Sequence, residues 1–319
     1  MAVKFGIQIP SFTYPNHPNE NVYSVAQRIA KTAEDSGYDS VWLMDHLYQI
    51  TSVAPETDPI LECWTTLAAL AAVTKRVKLG TLVAATGFRA PSVLAKMTAT
   101  IDNISNGRLI CGIGAGWCDY EHKGYGLYFP SVGERMKRLE EAINVLKAMW
   151  TQERATYIGQ HFQVENAVCF PKPVQKPHIP ILVGGSGEKV TLRITAQYAQ
   201  AHNIGGGPPE QNAKVLENLK RHCDTLGTNY DAILKTRLTP IMFASNKGEF
   251  ERKVKRWKPA GVTDAHFVGR TVTGTPNEVA EQLRGYVKIG INYFIVSFWD
   301  VDEMDPIKTL TRDVLPQLN

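Results

Sequence analysis

Apolar and polar positions alternate at the start of the chain: Val3, Phe5, Ile7 and Ile9 are separated by Lys4, Gly6 and Gln8, the period of a strand with one buried face. Val22, Val25, Ile29 and Ala33 then recur at helical spacing, and Gly37 ends that helix. The same strand and helix unit returns along the chain. SVWLM at 40–44 precedes a helical pattern over 59–73, VKLGTLV at 77–83 precedes one over 91–105, and LICGIG at 109–114 precedes one over 133–150. Pro91 suits a first helical turn and Asn106-Gly107 the end of that helix. A polar, proline-rich excursion fills 151–178. IPILVGG then runs through GSGEK into a helix carrying Val190, Ile194 and Tyr198, and AHNI reads as a short sixth strand before a helix over 210–226. TRLTPIMFA is the seventh strand, followed by a second excursion at 246–274. Thr275-Pro276-Asn277-Glu278 is a capping box with proline at the first helical position, opening a helix that ends at Gly290. NYFIVSFW reads as a buried eighth strand, with a last helix near 306–315.

Eight such alternations without a break in composition predict one α/β domain over 1–319, a (β/α)8 TIM barrel with insertions after helix 4 and after strand 7, rather than two doubly wound domains. Composition changes this picture little. With 44% apolar and 21% charged residues, the chain is neither disordered nor fibrous. Lys plus Arg number 35 against 31 Asp plus Glu, and the net charge of +4 is not gathered into a basic run, which argues against nucleic acid and permits a small anionic ligand. The longest apolar stretch, Leu67 to Val73, is far short of the roughly 20 residues of a membrane span. MAVKFGIQIP lacks the features of a secretory signal, so the expectation is a cytoplasmic protein without membrane partners. Cys63, Cys111, Cys118, Cys169 and Cys223 contain no C-x-x-C and read as reduced thiols. The histidines form neither H-E-x-x-H nor a Cys/His cluster, so no metal is expected.

In a barrel of this kind chemistry sits at the C-terminal ends of the strands. Two such ends stand out. Asp45-His46 closes the second strand, where an imidazole, with an ordinary pKa of about 6.5, can exchange a proton near neutral pH; the plainer reading is a histidine that caps a loop. Gly184-Gly185-Ser186-Gly187 closes the fifth strand ahead of a helix, where free backbone N–H groups can bind phosphate, or simply make a tight turn. Gly112-Ile113-Gly114-Ala115-Gly116 lacks the spacing of the dinucleotide fingerprint and no Walker A run occurs, so NAD and ATP are not the expected cofactors.

GYDSVWLMDH at 37–46, KRVKLGTLV at 75–83, GIGAGW at 112–117, GERMKRLEEAINVLKAMW at 133–150 and PILVGGSGEK at 180–189 together resemble the luciferase-like monooxygenase superfamily, and within it the branch using the deazaflavin coenzyme F420. The likeness runs in order over nearly the whole chain, ending with GTPNEVAEQL. It implies a TIM-barrel oxidoreductase, usually a homodimer, that moves hydride between coenzyme F420 and a small molecule. FMN is the alternative cofactor, as in the two-component monooxygenases of the superfamily; a non-catalytic flavin-binding protein is a further alternative, against which the Asp45-His46 pair counts. Carried over to this sequence, His46 is the general acid or base and Asp45 orients it or the ring. Leu82 and Val83 lie behind the ring, joined by a non-prolyl cis peptide, with Ala115 and Gly116 nearby, and Gly184, Gly185, Ser186 and Gly187 hold the tail phosphate. The glucose-6-phosphate dehydrogenases of this branch have a Trp shortly after the Asp-His pair, a Glu after the fourth strand's glycine and lysines after the sixth strand. Here Ile50, Trp117 and the neutral GGGPP at 205–209 stand in those places. With Phe12, Tyr14 and Trp117 as candidate pocket walls, an apolar, aromatic or unsaturated substrate is expected instead.

Overall fold

The computed structural model describes residues 2–319. Twelve strands occur among them: β1 (Lys4–Ile9), β2 (Ser40–Leu43), β3 (Lys78–Thr81), β4 (Ala84–Ala85), β5 (Leu109–Gly114), β6 (Arg154–Ile158), β7 (Gln163–Val168), β8 (Ile181–Gly184), β9 (Ala201–Ile204), β10 (Leu234–Phe243), β11 (Val272–Gly274) and β12 (Tyr293–Phe298). Eight of them close a parallel barrel in the order β1-β2-β3-β5-β8-β9-β10-β12, with β12 returning to β1. The fold is the (β/α)8 barrel that the alternation predicts. The two-residue β4 resumes the line of β3 after an interruption at Leu82-Val83 and pairs with the end of β5, Ala84 against Ile113. No helix among the described residues is long and apolar enough to cross a membrane.

The period-two pattern divides each strand between two environments. Phe5, Ile7, Val41, Leu79 and Ile181 face outward into the layer shared with the surrounding helices, where Leu146 and Ile194 also lie. Trp42, Ile110, Leu182, Tyr293 and Ile295 fill the barrel itself. The Trp42 indole needs its neighbours to be glycine: a Cβ on Gly80 would stand 2.3 Å from its ring, and one on Gly6 2.7 Å from its Nε1. Trp42, packed on Gly6 and Gly80, therefore plugs the interior between β1 and β3.

The two excursions contain more structure than their polarity suggests. Residues 151–178 include the antiparallel hairpin β6–β7. Its turn is tied down by Glu141 of the helix Val132–Thr151, whose carboxylate accepts the N–H groups of Gln160, His161 and Phe162 at 3.0, 2.8 and 3.0 Å. Residues 246–274 form the helices Lys247–Trp257 and Asp264–Gly269, capped by Asn246 and Thr263, and then β11. The capping box at Thr275 forms as its sequence implies. The chain's last helical segment is α-helical only over Asp305–Thr309 and widens over Leu310–Val314.

Candidate active site

Asp45 and His46 leave β2 side by side and are held by different partners. Asp45 is 3% exposed and takes the Arg89 guanidinium on both oxygens, Nη1 to Oδ2 at 2.7 Å and Nη2 to Oδ1 at 3.0 Å. Nη2 of Arg89 also donates to Glu62 at 2.5 Å. Burial pushes the Asp45 carboxyl upward and Arg89 pulls against that shift; burial likewise opposes the charge of Arg89, but the two carboxylates raise its pKa overall. This is a fork-on-carboxylate pair, strong when both members are present. The expectation that Asp45 orients His46 is corrected here: its oxygens are committed to Arg89.

His46 is oriented instead by Glu121. Its Nδ1 lies 2.7 Å from Glu121 Oε2, while Glu121 Oε1 accepts the N–H of Leu47 at 2.7 Å. Burial works to raise the Glu121 pKa, but the bonds from His46 and from Leu47 outweigh it and leave the carboxyl below its ordinary range. A carboxylate only accepts, so Nδ1 carries the hydrogen, and Nε2 of the neutral ring is a free acceptor. The ring edge meets Trp117 with centroids 5.8 Å apart. Sequence reading stopped at Trp117 and missed Glu121. The signal for it is DYEHKG at 119–124, a one-turn helix with acidic residues first and basic ones last.

The wall opposite is backbone and small side chains. The Leu82-Val83 peptide is cis, as the resemblance implies. Val83 packs into space left by two glycines, where a Cβ on Gly114 would stand 2.8 Å, and one on Gly184 3.0 Å, from its methyl groups. Asp45, His46, Leu82, Val83, Gly116 and Trp117 are brought together around a cavity of about 150 Å³, which Glu121 and His122 complete. His46, Leu82 and Trp117 also line an adjoining cavity of about 190 Å³ at the barrel mouth, with walls from Ile50, Leu238 and Phe298. Phe12 and Tyr14 line neither. They are buried in the layer between barrel and helices, edge to face with each other, which corrects their expected place in the substrate pocket. Trp117 is 62% exposed and belongs to both cavities.

Ala115 is half-buried against the core, and Gly116, at φ +76°, reaches the smaller cavity. The fifth-strand turn is built differently. Gly185 has φ +117°, open to glycine, and its N–H reaches Asn203 O at 3.2 Å. Ser186 and Gly187 are exposed, and the helix Thr191–Tyr198 begins beyond them with no side chain capping its first amides. Leu192 N–H already donates to Gly187 O at 3.2 Å, so an anion here would be met by the other amides of the turn and helix start. The turn lines neither cavity but adjoins the smaller one through Gly184 and Val83.

His46, Cys118 and Glu121 place one nitrogen, one sulfur and one oxygen within 4.8 Å of one another. Burial pushes the Cys118 thiol up to about 11. The 2.7 Å contact between His46 and Glu121 is that of a hydrogen bond, so the cluster is better described as a His–Glu dyad beside a neutral thiol.

The chain is 28% identical over 314 residues to a protein of Microbacterium testaceum named F420-dependent glucose-6-phosphate dehydrogenase, covering 90% of both chains. It is 30% identical over 321 residues to the protein of that name from Intrasporangium calvum, covering 90% of this chain and 92% of the other. Among solved structures it is similar to an F420-dependent secondary alcohol dehydrogenase bound to an F420–acetone adduct, with TM-score 0.82, 20% identity and full coverage of both chains. It is similar also to the F420-dependent tetrahydromethanopterin reductase of Methanopyrus kandleri, with TM-score 0.81, 18% identity and full coverage of both. The family model for luciferase-like monooxygenases matches residues 3–257. With a family model covering most of its length, the chain belongs to the luciferase-like monooxygenase family.

Proposed function

We propose that this protein is a coenzyme F420-dependent oxidoreductase transferring hydride between the deazaflavin and a small, largely apolar or unsaturated organic substrate. The observation that carries the reading is His46: Glu121 holds its Nδ1, and its Nε2 is left free at a cavity faced by Leu82, Val83, Ala84 and Ala85. That wall of small side chains fits a flat tricyclic ring, with Leu82-Val83 behind it and the amides around Gly184–Gly187 for the phosphate of its tail. Names of relatives covering nine-tenths of the chain support the same cofactor.

When bound, the deazaflavin supplies the hydride chemistry, and the protein positions the partners, excludes water and manages the proton. His46 Nε2 takes a proton from a substrate hydroxyl or, once protonated, returns one to a carbonyl oxygen. Glu121 steadies the charged imidazole while that proton is held. The apolar walls from Ile50, Leu238 and Phe298 keep water from the reacting carbon. A sugar phosphate, which the relatives' names specify, fits this chain poorly, because neutral GGGPP follows the sixth strand and Ile50 and Trp117 hold two distinguishing positions.

Equilibrium titration with coenzyme F420 and with FMN, followed by fluorescence, tests the proposal. Preferential F420 binding without oxygen consumption by the reduced complex is the expected result. Preference for FMN with rapid oxygen uptake would overturn it in favour of a monooxygenase.

A further inference from the structure

The mouth cavity is not apolar throughout. Inside the barrel the inward positions recur at every second residue, so Gly6 and Gln8 of β1 share a face, as do Tyr293, Ile295 and Ser297 of β12. β1 and β12 are neighbours with Ile7 opposite Val296, and Gln8 and Ser297 are the next residue on each strand. Gln8 stands opposite Trp42 in the β1–β2 register and Ser297 two residues beyond Ile295 on β12, and both line the space that His46, Leu82 and Trp117 wall. Gln8 is 3% exposed and Ser297 8%. Among the described residues neither side chain has a hydrogen-bond partner, although the molecule satisfies most of its other buried polar groups, such as Asn203 on Thr236 and Gln49 on the Pro10 carbonyl. Neither is among the polar atoms sealed off without a partner, so the amide and the hydroxyl are open to the cavity that both border and can meet a hydrogen-bonding group placed there.

We infer that Gln8 and Ser297 form a hydrogen-bonding subsite for a neutral oxygen function, a carbonyl or hydroxyl, on the end of the substrate that enters the barrel first. The inference rests on the reading of the mouth cavity as the substrate site. Both groups are uncharged and each can donate and accept, so they suit a ketone, alcohol or amide oxygen and offer no countercharge to a carboxylate or phosphate. Leu238 and Pro240 also face this space, and the half-buried Arg270 lines it as well. Pro240 lies opposite Ser297 in the β10–β12 register and adds an apolar ring beside it. The substrate class is thus narrowed from apolar to apolar with one oxygen-bearing end, and specificity is assigned to two residues of strands far from His46 in the sequence.

Binding tests this without turnover, because Trp117 and Trp299 both line the cavity and report occupancy by their emission. Cyclohexanone and methylenecyclohexane, near-isosteres differing in the oxygen, are titrated into the protein with and without coenzyme F420. The wild type is expected to bind the ketone about tenfold more tightly than the hydrocarbon, the worth of a hydrogen bond that spares a buried group. Gln8→Leu and the milder Ser297→Ala should each shrink that ratio toward one, with the hydrocarbon bound as well or better. Equal affinities in the wild type, a ratio unchanged in both variants, or no measurable ketone binding would overturn the inference. Failure of coenzyme F420 to bind, with the ketone ratio intact, would count against the proposed function and leave the subsite standing.

Discussion

The two ends of the candidate site are built by opposite means. At the β2 end, recognition is made of charged side chains: Arg89 grips Asp45, and Glu121 grips His46, each pair joining residues distant in sequence. At the β8 end it is made of backbone, with Gly185 in a conformation side chains avoid and a helix start left without a side-chain cap. The difference matches two tasks. A proton must be moved at one atom, which requires an ionisable group locked in one tautomer, whereas a phosphate needs only several N–H groups in a fixed array.

Removing each element in turn separates these tasks. His46→Ala is expected to slow turnover by about 10² to 10⁴-fold with little change in cofactor affinity, the usual worth of a positioned acid or base; steady-state kinetics beside a fluorescence titration read both. Arg89→Met leaves Asp45 buried and uncompensated and should destabilise the fold by about 3 to 5 kcal/mol in urea unfolding. Gly185→Val forces a side chain onto φ +117° and should weaken coenzyme binding about tenfold through roughly 1 to 3 kcal/mol of strain, while kcat at saturation stays near that of the wild type. Unchanged affinity would detach the turn from the phosphate.

The smallest expected effect involves a histidine outside both ends. His202 lies buried on β9 beside Val183 of β8, with Nδ1 3.0 Å from Val183 O, and burial lowers its pKa to about 4. The unfolded chain, with an ordinary histidine pKa near 6.5, binds the proton first, so this group removes stability as pH falls from about 6.5 toward 4. His202→Asn should flatten the dependence of Tm on pH in that window, and an unaltered slope would show that His202 is not its source.

The fold was legible because each barrel strand repeats the same compromise, one face toward the helices and one toward the barrel, and several helices carry a marked start, as at Thr275 and Pro91. The hairpin at β6–β7 was not, since its strands are mostly exposed and its turn depends on Glu141 from a preceding helix. The site divides in the same way. Asp45, His46 and the glycine turn are marked by where they fall after a strand. Arg89 is not, because nothing local distinguishes an arginine before a helix until the barrel closes and brings it 44 residues back along the chain, and Glu121, 75 residues from His46, is marked only by the charge order of DYEHKG, which says nothing of its partner. Phe12 and Tyr14 err in the other direction: aromatic residues after a strand suggested a pocket, and the chain folds them into the core.

The most direct test of the central claim is a nitrogen-15 NMR measurement of the His46 imidazole, assigned through His46→Ala, before and after addition of coenzyme F420. The expected result at neutral pH is a ring protonated on Nδ1 and bonded to Glu121, with an Nε2 resonance that shifts when the coenzyme fills the adjoining cavity. In Glu121→Gln that tautomer preference should weaken. A ring protonated on Nε2, or an Nε2 resonance indifferent to bound coenzyme, would contradict the assignment of His46 as the proton-handling group of this site.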